Sequence, residues 1–132
     1  MRLSLLLPPV QPEAYPVVAG CPYAGCGGRH VQHWQAAPKP LRDTQFAEVV
    51  AHRYRCVRCG RTFRVYPRGV GHDQTSARLK GVAVMFYVLG MSYGAVATAL
   101  AALGWPLSKV AVYYAVQEAG AAVLEMDENF DR

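Results

Sequence analysis

Two short cysteine pairs, Cys21-Pro-Tyr-Ala-Gly-Cys26-Gly and Cys56-Val-Arg-Cys59-Gly, constrain this chain of 132 residues more than any other feature. Twenty-nine residues separate the pairs, and a glycine directly follows each second cysteine. A tight Cys-to-Cys turn presents two thiolates from one loop, and zinc takes four such ligands in a tetrahedron. The glycines permit positive φ, which lets backbone amides point at sulfur. Two such loops joined by a small antiparallel sheet make a ribbon holding one Zn²⁺ on Cys21, Cys26, Cys56 and Cys59. The alternatives are two disulfides or four free thiols; disulfides go with secretion, and no secretory signal opens the sequence. His30, His33, His52 and His72 are further ligand types. With four cysteines available they read as surface or phosphate-contacting residues.

Around this framework the chain divides by pattern. Residues 1–19 are Pro-rich and read as an extended arm, and residues 20–70 as the ribbon. Three runs have strand character: His30–Gln35, Phe46–Tyr54 and Arg61–Tyr66. In the last, Phe63 and Val65 alternate with Arg64 and Tyr66. Ala36–Pro40 reads as a loop, and residues 71–76 as a linker, with the stretch from Gly69 to Ser76 expected to act as a hinge. Metal binding would supply much of the ribbon's folding free energy, because it has few large apolar groups.

From residue 77 the period becomes helical. Leu79, Val82, Ala83, Phe86 and Leu89 form one apolar face, and Gly90 is a natural stop. Ser92 can cap a second helix with Val96, Ala99, Leu100 and Leu103 inward. After the Gly104-Trp-Pro-Leu turn, Ser108 caps a third helix carrying Val112, Val116, Ala119, Val123, Met126 and Phe130 in a heptad-like seam. That seam suits packing on the other helices and a homodimer through the third helix. The whole is an α+β chain: a four-cysteine zinc ribbon with a short antiparallel sheet, followed by a three-helix helix-turn-helix unit over 77–120, with an acidic helical extension over 121–132.

Charge narrows the function. There are 14 Lys plus Arg against 9 Asp plus Glu, net +5. Between Arg53 and Lys80 eight basic residues face one acid, Asp73. A basic middle followed by an acidic end points to a polyanion met by one face. With 52% hydrophobic and 17% charged residues, the chain is neither disordered nor a disulfide-dense miniprotein. The apolar start ends at Pro8 and Pro9, too early for a signal peptide, and no apolar helix precedes the lipoprotein-like Val18-Ala-Gly-Cys21. No charge occurs from Gly81 to Ser108, but Ala, Gly, Ser, Thr and Tyr fill much of that run, so it reads as short helices rather than a membrane span. A cytoplasmic protein is expected.

In a helix-turn-helix the third helix enters the major groove, with its N-terminal residues reaching base edges. With Val112 and Val116 inward, Lys109, Tyr113 and Gln117 fall on the opposite face, flanked by Val110 and Tyr114. Lys and Gln read bases, and Tyr holds a phosphate or stacks. Arg53, Arg55, Arg58, Arg61, Arg64 and Arg68 run through and beyond the second cysteine knuckle and would contact DNA, with Arg53, Arg55, Arg61 and Arg64 expected on phosphates. Apolar spacing alone equally fits an Ala-rich bundle used for protein contacts.

The string Arg53-Tyr-Arg-Cys56-Val-Arg-Cys59-Gly-Arg-Thr-Phe63, with the first cysteine pair, resembles the N-terminal zinc ribbon of bacterial insertion-sequence (DDE-type) transposases. Leu89–Val96 and Leu107–Tyr113 resemble the helix-turn-helix that follows it there. The resemblance spans roughly residues 20–120. It implies binding of double-stranded DNA at terminal inverted repeats, with strand transfer done by a separate RNase-H-like domain. The acids after residue 120 all fall within a few helical turns, whereas carboxylates holding a metal pair come from spaced strands. The expectation is therefore a non-catalytic module: a truncated transposase, a split-frame product or an excised piece. Rival readings are a transcription regulator built from the same parts and a protein-interaction adaptor.

Overall fold

A computed structural model of the protein describes residues 7–130, and side chains over 7–120. It is α+β. Three antiparallel strands, β1 (Val31–Pro40), β2 (Glu48–Cys56) and β3 (Thr62–Val65), precede three helices, α1 (Ala77–Val88), α2 (Tyr93–Ala102) and α3 (Lys109–Phe130). The sheet order is β1-β2-β3.

The first strand corrects the sequence reading. Ala36–Pro40 is not a loop but the second half of β1, with Pro38 opposite Val50 and Pro40 opposite Glu48. β1 is an edge strand, where a proline can sit without removing a ladder bond from a neighbour. The register shifts between His33 and Gln35, a bulge that carries Trp34. β2 begins and ends two residues later than expected, and β3 is trimmed by one residue at each end.

The N-terminal arm is extended, yet it packs on the sheet. Val10 is buried with Leu41 and Val49, and Phe46 and Val70 close this small core. The Gln11 amide donates to the Arg68 carbonyl, the Arg68 amide to the Ala14 carbonyl, and the Tyr15 hydroxyl to the Val50 carbonyl.

The helices have a larger core of their own. Leu79, Val82, Ala83, Val96, Leu100, Leu107 and Val112 are buried together, with Phe86, Met91 and Trp105 against them. Ser76, Ser92 and Ser108 each accept the backbone amide three residues on, as capping serines do. Gly90 and Gly104 take positive φ just beyond the first two helices. Two expected core residues lie outside: Leu89 and Leu103 are 74% and 52% exposed. Each is a C-cap, where the chain leaves the helix and the apolar face has already ended. On α3, Val112 and Ala115 are buried and Val116 half-buried; Val123, Met126 and Phe130 lie beyond the described side chains.

The segment read as a hinge is tied to the sheet. Its backbone bonds to Arg42 at two points: the Arg42 amide donates to the Gln74 carbonyl, and the Ser76 amide to the Arg42 carbonyl. Lys39 donates to the carbonyls of Gly71 and His72. Asp43 completes the anchor. Its carboxylate accepts from Ser76 Oγ (2.6 Å), from Arg78 Nη2 (2.6 Å) and Nε (3.2 Å), and from the amides of Gln45 and Phe46. Burial alone would push this carboxyl up, but those donors prevail and hold it well below the usual carboxylate range. The composition of this segment gives no sign of these ties; Asp43, on the hairpin loop, bonds its end to the start of α1.

Candidate metal centre

The four cysteines converge at one end of the sheet. Cys21 Sγ lies 3.8 Å from Cys59 Sγ, and Cys26 Sγ lies 3.6 Å from Cys56 Sγ. All four sulfurs fall within 4.8 Å of one another, the inner pair buried and the outer pair half-buried. These separations are far too long for disulfides, and all four are free. Four soft donors facing a common point fit a four-coordinate metal ion. The four histidines are not in this cluster; His33 and His52 instead bond each other across the sheet, Nε2 to Nδ1, at 2.9 Å.

Local backbone shapes the two loops. Gly27 and Gly60, the glycines after each second cysteine, take φ of 65° and 74°. The Cys21 amide donates to the Gly28 carbonyl and the Cys56 amide to the Arg61 carbonyl, closing each loop on itself. The Val57 amide reaches the His30 carbonyl, and the Tyr23 hydroxyl reaches the Thr62 carbonyl, so each loop is pinned to the other's neighbour. Gly28 has a role the sequence reading missed. A Cβ there would lie 2.8 Å from Cys56 Sγ and 3.3 Å from Cys26 Sγ, so any side chain would push into the sulfurs. Its signal was visible as the second glycine after Cys26.

The sulfurs differ electrostatically. Burial pushes the Cys21 thiol up to about 12, and the other three sulfurs reinforce the rise. Cys59 goes down to about 6, chiefly through the Arg61 amide and then its guanidinium, against the effect of burial. Cys56 is also lowered, first by the Cys59 amide. The second loop is thus the readier thiolate donor.

The predicted DNA-contacting residues fall into two groups. Arg53 and Arg64 sit directly opposite each other on β2 and β3, and Arg55 lies on the same face two pairs along, opposite Thr62. Arg55 covers the Trp34 ring at 5.2 Å, and Arg61 covers Tyr23 at 4.3 Å. Arg58 is exposed on the second loop, and Arg68 reaches Gln11 Oε1 at 3.4 Å. None of these six arginines forms an ion pair among the described residues; the ion pairs found there are Arg78–Asp43, Lys80–Asp73 and Lys80–Glu118. Lys109, Tyr113, Tyr114 and Gln117 are all exposed on α3.

Sequence reasoning did not anticipate the aromatic cluster beside them. Tyr87 and Tyr93 stack at 5.0 Å with planes 2° apart, Tyr113 meets Tyr93 edge-on at 5.4 Å, and Tyr114 adjoins Tyr113. The rings come from three helices, so no periodicity within one helix marks them. No helix among the described residues is long and apolar enough to cross a membrane. Compared with known protein families, curated proteins and solved structures, the chain matches none.

Proposed function

We propose that this chain is a zinc-stabilised, sequence-specific DNA-binding module, of the kind that recognises the terminal inverted repeats of an insertion sequence, and is not catalytic by itself. The zinc half of the reading rests on the sulfur geometry. Zinc–sulfur bonds of about 2.3 Å place neighbouring sulfurs of a regular tetrahedron about 3.8 Å apart. Cys21···Cys59 at 3.8 Å and Cys26···Cys56 at 3.6 Å fit such a site, with Cys21, Cys26, Cys56 and Cys59 as its ligands. Bound there, zinc would be structural, drawing all four thiols to thiolates and fixing the two loops.

The observation that carries the DNA half is the set of arginines without acidic partners. Residues 20–70 hold nine Lys or Arg against two acids. A surface so charged and so little neutralised suits phosphate contacts, which supply affinity and register without reading sequence. The helices are different: residues 77–130 hold three basic residues and four acids. Their share of the task in this reading is base contact, through Lys109 and Gln117 in the first turns of α3.

The direct test is a titration of the zinc-loaded protein against inverted-repeat and scrambled duplexes at several salt concentrations. Salt-sensitive binding, tighter on the repeat, is the expected result; no salt-dependent affinity on either would sink the reading. A second reading, docking of another protein, is favoured by one observation: within the tyrosine cluster Tyr114 and Tyr113 are 65% and 42% exposed. It predicts a partner complex that survives salt and is lost with Tyr114→Ala.

A further inference from the structure

A groove runs between the arginine face of the sheet and the residues 71–74 that cross it. Its volume is about 280 Å³, and Gln35, Lys39, Arg53, Arg64, His72 and Gln74 are among its lining residues. The floor is small because Ala37 and Ala51 pair across β1 and β2 there. No carboxylate lines it.

Two features are costly as they stand. Arg53 and Arg64 are directly paired across neighbouring strands, an arrangement that places like charges side by side. Arg53 Nε is also buried without a hydrogen-bond partner, alone in that respect among the described side chains. Neither feature helps the fold. An oxyanion between the two guanidiniums would relieve both, because a guanidinium edge presents paired donors that match phosphate oxygens. Lys39 and His72 hold the rim: Lys39 Nζ lies 4.0 Å from the Tyr66 ring centroid, and His72 meets Tyr66 edge-on at 5.3 Å. Burial lowers the Lys39 pKa; the Asp73 charge, from the crossing segment itself, opposes this more strongly than the Arg64 charge adds to it, while Asp73 is itself paired with Lys80 outside the groove.

We propose that this groove is a binding site for a single phosphate group, gripped by Arg53 and Arg64 with Lys39 and His72 at its mouth. The site deepens the DNA reading but does not require it, since free phosphate has the same chemistry. Its position has a consequence. A phosphate there touches strands β1 to β3 and the crossing residues at once, so it stiffens the junction to α1.

The Arg53 Nε–H resonance of the isotope-labelled, zinc-loaded chain reports on the site directly. Titration with inorganic phosphate at constant ionic strength, set by chloride, should move that resonance saturably. Arg64→Lys keeps the charge but loses the fork, leaves the Arg53 reporter in place, and should weaken phosphate binding on the order of tenfold. A resonance that phosphate does not move, or moves no more than chloride does, overturns the site, while duplex binding through the other arginines would survive that result. Two further arms identify the source. If an unphosphorylated duplex displaces phosphate from Arg53, the ligand is a backbone phosphodiester. If only a 5′-phosphorylated strand does so, it is a terminal phosphate. If neither DNA competes while free phosphate binds, the site stands and its nucleic-acid source is excluded.

Discussion

The sheet and the helices are stabilised by different means, although a single chain of 132 residues makes both. The helices bury seven apolar residues in one cluster. The sheet buries three, Val10, Leu41 and Val49, and one of these is lent by the N-terminal arm. At its other end the sheet has four cysteines in place of a core. The difference teaches where charge can accumulate. If a metal holds the sheet, as proposed, that region needs few apolar side chains and its faces are free to carry arginines; a region held by packing gives its surface over to Ala and Tyr.

The sharpest way to break this contrast is to remove the metal ligands. Cys56 is fully buried, and Cys56→Ser should cost most of the metal's contribution, which for structural zinc sites is on the order of 10 kcal/mol. Strand signals in hydrogen exchange should disappear while α1–α3 keep their protection, because the helical core contains no sheet residue. Loss of both regions together would show that the helices depend on the sheet. Elemental analysis of the anaerobically prepared wild type should give one zinc per chain. The reverse experiment is Leu100→Ala, at a fully buried position in the helical core. It should cost about 3 kcal/mol, lower the melting transition of the helices, and leave zinc content unchanged.

Much of this architecture was legible because the signals were local. Cysteine spacing, glycine after cysteine, and a serine before each helix are read within a few residues; the structure brings the four cysteines together, gives both glycines positive φ and uses each serine as a cap. Pro38 and Pro40 misled because proline excludes a central strand but not an edge, and which strand is at the edge is a property of the whole sheet. The contacts of the segment read as a hinge were hidden for a similar reason. Gly69, Gly71 and their polar neighbours carry no apolar period, and the contacts that fix the end of this segment come from Asp43, more than thirty residues earlier in sequence than Ser76 and Arg78. The tyrosine cluster and the Arg53–Arg64 groove are likewise assembled from separate elements.

Asp43 is where the two regions meet, and it sharpens the comparison through pH. Its folded pKa is depressed from an ordinary value of 3.8, so its contribution is complete above that value. It declines as the pH falls below about 4, at first because the unfolded chain takes up the proton, and is gone only once the folded carboxyl, whose pKa lies far lower, is protonated and Arg78 loses its partner. Asp43→Asn should mimic the acid state, costing about 2 kcal/mol because its oxygen can still accept from Ser76 but no longer pairs with Arg78. Thermal melts from pH 6 down to pH 3 should show the wild type losing stability below about pH 4 and the variant losing less over the same range. Parallel curves would remove Asp43 from the account of the junction.

The smallest effects belong to DNA binding, where the contrast becomes one between affinity and specificity. If the sheet's arginines meet phosphates, each neutralised phosphate contributes about 0.9 to the slope of log affinity against log salt. Replacing Arg61 and Arg64 by Ala should therefore weaken binding to all duplexes alike and flatten the slope by roughly two. Gln117 stands on the helical side, exposed and uncharged, where it cannot contribute to that slope. Gln117→Ala should instead cost on the order of 1 kcal/mol on the cognate duplex and almost nothing on a scrambled one. Titrations of both variants on both duplexes at three salt concentrations separate the outcomes. An equal loss for Gln117→Ala on the two duplexes would mean that α3 does not read bases. The tyrosine cluster around Tyr113 would then be better understood as a surface for another protein.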